Sequence, residues 1–163
     1  MDVADVGMTA MLAADSAALA RVARAMGRLE EAHELEDREH ALQAALGHMW
    51  DDESSLYFNK RWRTSTRGGP WGQEDEQFVV PKIATPTSFY PMLTRTPTAT
   101  QVDRMIERWL ANATEFCVTS SCPGEKDAVP SMPSVSRSEP SFADNTYWRG
   151  RSWGPMSFLQ RRA

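Results

Sequence analysis

The chain has 163 residues and a net charge of −4, and its 41% hydrophobic and 25% charged residues are typical of one globular domain. That composition excludes a wholly disordered chain, a collagen-like repeat and a coiled-coil rod. The acidic balance argues against nucleic acid as a partner, because phosphate binding favours a basic surface. No run approaches the roughly 18 apolar residues of a membrane span, and the acidic start does not match a secretory signal.

The two parts of the chain differ in composition, because all ten prolines lie at or after position 70 and the first of six tryptophans is Trp50. Residues 5–50 predict two helices joined as an antiparallel hairpin, with Gly27 placed to end the first helix. One stripe of the first helix consists of Met8, Leu12, Asp15, Leu19, Val22 and Met26, widened by Met11 and Ala23. The apolar side of the second helix consists of Leu35, Leu42, Leu46 and Met49, opposite an acidic side.

After the hairpin, residues 50–63 predict a short β-hairpin or an extended loop, and residues 64–80 predict a mobile surface loop. Thr98 and Gln101 form a capping-box pattern that begins a further helix. The apolar face of that helix is predicted to contain Val102, Met105, Ile106, Trp109 and Leu110. Residues 120–141 are rich in serine and proline and predict a long loop.

Histidines and cysteines offer little evidence for a metal site. His33, His40 and His48 are too far apart along one helix for neighbours to share a metal ion, so surface positions are favoured. Cys117 and Cys122 have no second pair with which to hold zinc, and two ordinary thiols are favoured over a disulfide. No cofactor is implied.

Acidic residues follow Trp50 directly, at Asp51, Asp52 and Glu53. Carboxylates beside an aromatic ring are typical of a sugar site and also of a solvated loop, and the loop is the favoured interpretation. The usual motifs of serine hydrolases, P-loop NTPases, dinucleotide-binding enzymes and zinc proteases do not occur.

The strongest constellation lies at residues 144–156, where two tryptophans, one tyrosine and two arginines fall within seven residues, with Gly150 among them and Gly154 directly after them. Flat aromatic faces cover the C–H surfaces of sugars, and arginine binds hydroxyls in a fixed geometry. An aromatic core with arginine stacked on tryptophan explains the same composition. Composition alone leaves these two interpretations even.

The order of these residues, YWRGRSWGPMSFL at 147–159, resembles a segment of the α-toroidal glycoside hydrolases. Family 63 is the most similar, with its processing α-glucosidases and mannosylglycerate-hydrolase-like enzymes. Four earlier segments resemble that family in the same order: DSAALARVARAMGRLEEA at 15–32, MWDDESSLYF at 49–58, PTSFYPML at 86–93 and EFCVTSSCPGEKDAVPSMP at 115–133. Residues 64–80 depart from it, as do Arg151-Ser152 and Gln160–Arg162.

The resemblance implies an all-α fold, a partial (α/α)6 toroid with about five of its twelve helices. Residues 1–163 are then a fragment of one catalytic domain, with 64–80 as an insertion or loop. The apolar faces of the hairpin are expected to bury against neighbouring helix pairs. The implied reaction is inverting hydrolysis of α-linked glucose or mannose, from an oligosaccharide or a small glycoside, by two carboxylates.

Neither of the family's two catalytic carboxylate motifs is found in the sequence, so no catalytic residue is assigned and the chain alone is expected to be inactive. The implied partner is a carbohydrate, and the implied binding residues are Tyr147, Trp148, Arg149, Gly150 and Trp153, with Phe89, Tyr90 and Ser88 held more loosely. A non-catalytic carbohydrate-binding protein and a truncated, inactive gene product are the alternatives. The sequence does not assign a compartment.

Overall fold

The computed structural model describes residues 2–62 and 76–112. Its elements are β1 (Asp2–Ala4), α1 (Val6–Ala25), α2 (Leu29–Gly47), β2 (Trp50–Asp51), β3 (Leu56–Tyr57), β4 (Lys60–Trp62), β5 (Glu76–Phe78), a 3₁₀ helix (Pro86–Leu93), α3 (Ala99–Met105) and a π-helix (Ile106–Leu110). The described residues are mostly helical, which confirms the predicted all-α class. The partial toroid of about five helices stays a prediction.

Helices α1 and α2 form the predicted antiparallel hairpin. Asp5 caps α1 by accepting a hydrogen bond from the Met8 amide, at 2.8 Å from Oδ1. Gly27 follows the end of α1 with φ of +75°, a left-handed conformation that glycine adopts without steric cost. Arg24 near the end of α1 then reaches Glu36 in α2 with two hydrogen bonds of 2.6 and 2.7 Å.

The face that α1 buries is made of small residues rather than the predicted stripe. Its buried residues are Val6, Gly7, Ala10, Ala13, Ser16, Ala20 and Ala23. The large side chains of the stripe are exposed instead, and we call them the α1 strip: Met8, Met11, Leu12, Leu19, Val22 and Met26. Of this stripe only Ala23 is buried, and its burial against neighbouring helix pairs stays a prediction.

Length and composition alone would allow α1 to cross a membrane, although the sequence predicted no such segment. Core helices of globular domains meet the same criterion, and the small-residue face of α1 is buried within this structure. Alanine raises both the hydropathy and the helix propensity of the segment.

Gly7 brings the start of α1 against the 3₁₀ helix. A Cβ atom at this position would lie 2.7 Å from Cβ of Thr87, closer than real side chains approach. Asn59 ties the same end to β4, because its Oδ1 accepts from the Val6 amide at 2.9 Å and its Nδ2 donates to Asp5 at 3.2 Å. The N-terminus of α1 is thus fixed on two sides.

The predicted β-hairpin after α2 is present, with β2 and β3 paired antiparallel. A second, three-stranded antiparallel sheet has the order β1-β4-β5. β5 lies within the stretch 64–80 predicted as a loop, so its final part is paired with β4. The identity of 64–80 as an insertion stays a prediction, and residues 63–75 lie outside the described residues.

The capping box at Thr98 is confirmed, because its hydroxyl accepts from the Gln101 amide and the Gln101 side chain accepts from the Thr98 amide. The helix it begins changes to π geometry at Ile106. Its predicted apolar face is correct for Met105, which is fully buried, and for Trp109 and Leu110, which pack against the core. It is wrong for Ile106, which is exposed, and Val102 is half-buried.

We predict that Gly7→Ala destabilises the fold by about 1–3 kcal/mol, because the new methyl group would overlap Thr87. Urea unfolding followed by circular dichroism measures the change. Gly47→Ala is the matched control: a Cβ there meets nothing within 4 Å, and alanine favours a helix over glycine, so stability should stay equal or rise. Equal effects of the two substitutions would contradict the close approach at Gly7.

Candidate functional site

The tip of the β2–β3 hairpin, residues 52–55, is held by Arg104 of α3. Its guanidinium donates to the Asp52 carboxylate at 2.6 Å and to the Ser55 hydroxyl at 3.1 Å. The same group lies 5.6 Å from the ring centroid of Trp50, within cation–π range. Ser55 has φ of 55°, so the tip has a strained residue that Arg104 holds in place.

Two side chains of the π-helix bind the backbone of the same tip. Arg108 donates to the carbonyl of Glu53, and Trp109 Nε1 donates to the carbonyl of Ser54 at 2.8 Å. Carbonyl groups at a hairpin tip have no ladder partner, so these donors satisfy acceptors that the strand pairing leaves open.

Asp51 lies just before the tip and is buried, with 8% of the residue exposed. Its carboxylate pairs with Lys82 Nζ at 2.8 Å and accepts from the Ser54 amide at 3.0 Å. Burial disfavours the charged form, but the hydrogen bonds from Lys82 and Ser54 outweigh it, so the pKa of Asp51 lies below its ordinary value.

Asp52 is exposed but also engaged. The hydrogen bond from Arg104, supported by one from the Trp50 indole, holds the pKa of this carboxyl below its ordinary value. A general acid in glycoside hydrolysis needs a raised pKa so that it holds a proton near neutral pH. Asp51 and Asp52 are both ionised and bound to cations, so they stabilise the loop rather than supply a proton.

Ser88, Phe89 and Tyr90 lie in the 3₁₀ helix, and all three are buried. Phe89 belongs to the main apolar cluster together with Tyr57 and Leu46. Burial raises the pKa of Tyr90, as it raises the pKa of Tyr57 to about 12, so both phenols are neutral in the physiological range. Contact of Phe89 or Tyr90 with a substrate stays a prediction.

A groove of about 640 Å³ lies between α1, α2 and the end of the 3₁₀ helix. Alanines of α1 form its floor, and its charged lining includes Asp15, Arg21, Glu39 and Arg95. Among its described lining residues there is no aromatic side chain, so this groove does not offer the flat surface that sugars bind.

The other predicted binding residues lie outside the described residues: Tyr147, Trp148, Arg149, Gly150 and Trp153. The same holds for Cys117, Cys122 and the predicted loop at 120–141. His33, His40 and His48 are exposed on or beside α2, as predicted, and His33 Nδ1 lies 3.4 Å from Glu36.

Sequence reasoning missed the three cations that hold the loop, Lys82, Arg104 and Arg108. Arg104 and Arg108 are four residues apart, a spacing that places two side chains on one face of a helix. Two arginines on one helix face could have been predicted to bind the acidic run after Trp50, and this was the available signal in the sequence. Lys82 had no comparable pattern, because it lies in an irregular segment.

Comparison with known families identifies the class of protein. The family model described as the mannosylglycerate hydrolase MGH1-like glycoside hydrolase domain matches residues 1–163, the whole of the sequence. The chain therefore belongs to this glycoside hydrolase family, as the motifs at 86–93 and 147–159 indicated. Neither the curated proteins nor the solved structures gave a match.

We predict that acid destabilises the fold partly through Asp51. Because the pKa of Asp51 is lowered on folding, its contribution to stability is complete above the unfolded pKa, about 3.9, and is lost as the pH falls through the folded value. Asp51→Asn should lower the free energy of unfolding by about 1–3 kcal/mol at pH 7, since Lys82 loses its partner. The measurement is urea unfolding at several pH values between about 2 and 7.

The substitution should also make stability less dependent on pH below about 5. Asp37→Asn on the exposed side of α2 controls for the same change in net charge. If Asp51→Asn and the wild type lose stability in parallel on acidification, the Asp51–Lys82 pair does not have the role described.

Proposed function

We propose that this protein takes part in inverting hydrolysis of α-linked glucose or mannose, and that this chain contributes the wall that binds the sugar. The match of the glycoside hydrolase domain to residues 1–163 is the observation that carries the proposal. The substrate would be an oligosaccharide or a small glycoside. The proposed binding residues are Tyr147, Trp148, Arg149, Gly150 and Trp153, together with Phe89 and Tyr90.

The chemistry of the proposed residues suits a sugar. Trp148 and Trp153 offer flat apolar faces for sugar C–H groups, and the guanidinium of Arg149 offers several donors in a fixed plane for hydroxyl oxygens. Gly150 permits close approach of the backbone to a ligand. No cofactor is needed for this reaction, since carboxylates supply both proton transfers.

The described residues support the proposal because side-chain contacts hold the hairpin tip and the 3₁₀ helix against neighbouring elements. Arg104 of α3 binds the hairpin tip at 52–55, Lys82 binds Asp51 beside that tip, and Gly7 of α1 lies against Thr87 of the 3₁₀ helix. Trp109 binds the same hairpin tip, because its indole donates to the Ser54 carbonyl. A site needs such support because binding groups must be held within a fraction of an ångström.

The pairing of Asp51 and Asp52 with cations argues against either of them as a catalytic carboxylate. Inverting enzymes use two carboxyl groups about 6.5–9.5 Å apart, one as a protonated acid and one as a base that activates water. Both described aspartates are committed to Lys82 and Arg104 with lowered pKa values. We therefore assign the acid and the base to carboxylates other than these two.

The test combines binding and turnover. Isothermal titration of the 163-residue chain with maltose, α-mannobiose and mannosylglycerate should reveal binding to at least one, while aryl α-glucosides and α-mannosides should remain unhydrolysed. Trp148→Ala and Arg149→Ala should each weaken binding at least about tenfold, or 1.4 kcal/mol. Trp148→Phe should retain part of the affinity because it keeps an aromatic face.

Turnover by the 163-residue chain would contradict the expectation that this chain lacks both catalytic carboxylates. Unchanged binding in Trp148→Ala and Arg149→Ala would remove the proposed wall. A complete absence of binding by a folded chain would favour the inactive gene product. In the full gene product, proton NMR of the first sugar released should show inverted anomeric configuration; retention would exclude the inverting mechanism.

A further inference from the structure

The exposed residues of α1 follow a coiled-coil repeat. Met8, Leu12, Asp15, Leu19, Val22 and Met26 are separated by alternating steps of four and three, the spacing of a and d positions in heptads. Five of these six are large apolar residues, each 44–69% exposed. Single exposed apolar residues are ordinary on a protein surface, but a continuous row along a 20-residue helix is not.

This row is separate from the face with which α1 contacts the rest of its own chain. The buried positions Ala10, Ala13, Ala20 and Ala23 pack within the hairpin, and the heptad row lies on another side of the helix. The accessible positions that flank the row are small or apolar: Thr9, Met11, Ala18 and Ala25. Small flanking residues allow a second helix to approach closely.

We propose that the α1 strip is the interface for a second copy of this chain, with the two α1 helices packed antiparallel. The row is nearly symmetric about its centre between Asp15 and Leu19, because both halves have a methionine at the outer end and an aliphatic residue next to it. Antiparallel pairing then places Met8 opposite Met26 of the other copy and Leu12 opposite Val22, so each a position meets a d position. A two-fold interface requires a patch that is complementary to itself, and this row meets that requirement.

The exposed area is sufficient for a specific dimer. The six side chains of the α1 strip are 44–69% exposed, and their exposed surface is on the order of 600 Å² for each copy. Two copies would together bury about 1,200 Å², which is the lower limit of specific interfaces. The interface would be weaker than an obligate dimer, which buries more.

Asp15 is the one polar residue of the row, and it makes the pairing selective. It also lines the groove between α1, α2 and the end of the 3₁₀ helix, together with residues of both charges. A polar residue at one core position of a coiled coil fixes register at a cost in stability. Asp15→Leu should therefore tighten the dimer about tenfold.

The oligomeric state of the 163-residue chain tests the proposal directly. Sedimentation equilibrium between about 1 and 100 μM should show a monomer–dimer equilibrium. Leu19→Glu should weaken it at least about 100-fold, because two charges would be buried without partners. Ala41→Glu on the exposed side of α2 is the matched control and should leave the equilibrium unchanged.

Cysteine cross-linking tests the orientation. In a Cys117→Ser, Cys122→Ser background, a mixture of Met8→Cys and Met26→Cys chains should form a disulfide-linked dimer on mild oxidation, while either chain alone should not. Cross-linking of Met8→Cys with itself would overturn the antiparallel register. Circular dichroism of each variant confirms that α1 is still helical.

Two other occupants of the strip would overturn the proposal. If the chain is monomeric at 100 μM and cysteine at position 8 or 26 resists maleimide labelling, residues 113–163 cover the strip. If Leu19→Glu abolishes binding to phosphatidylcholine vesicles while the chain is monomeric, lipid is the occupant. A monomer whose strip is freely labelled and binds no vesicles would also refute the dimer. None of these outcomes depends on carbohydrate binding, so this proposal and the proposed function fail independently.

Discussion

The close approach of α1 to its neighbours is the constraint on which the rest of this structure depends. Gly7 has no room for a side chain against Thr87, and alanines fill the remainder of the buried face. Small residues bury little apolar area each, so this contact stabilises by proximity and packing density more than by the hydrophobic effect. Because small residues occupy the buried face, the large side chains of α1 lie on its other side, and the α1 strip is exposed.

At the β2–β3 hairpin, ion pairs rather than close packing hold the structure together. Carboxylates next to tryptophan are typical of sugar sites, yet here Asp51 and Asp52 are bound to Lys82 and Arg104. Ionised carboxylates that are already paired are poor general acids, but they hold a hairpin tip well because removing either partner leaves a charge behind. The hairpin tip is therefore held in place by paired charges.

Much of this could be predicted from the sequence, and the errors have a common cause. The hairpin, the turn at Gly27 and the cap at Thr98 are local features, fixed by residues within a few positions of one another. The side of α1 that would be buried was not predictable from periodicity, because the alanine face and the methionine–leucine face both repeat at helical spacing. Which one is buried depends on how α1 packs against α2 and the 3₁₀ helix in the folded chain.

The candidate site divides in the same way. Motif order identified the family, and the family model agrees over the whole chain. The bond between Asp51 and Lys82 and the grip of Arg104 on the hairpin tip could not be predicted, since each joins residues that only the folded chain brings together. The aromatic motif at 147–153 is recognised by residue order alone, and its geometry lies outside the described residues.

The π-helix at Ile106–Leu110 makes the position of the β2–β3 hairpin tip depend on the length of the helix that begins with α3. In an α-helix, consecutive residues point about 100° apart, but here Arg108 and Trp109 both bond to carbonyls of the same hairpin tip. A π-turn accommodates one residue more than an α-turn, so the gain or loss of a single codon in this helix would rotate one donor away from the tip. The geometry of the β2–β3 hairpin is thus sensitive to insertions and deletions in a segment about fifty residues away. Natural variation in the length of this helix would change the position of the hairpin tip without altering any residue in the tip itself.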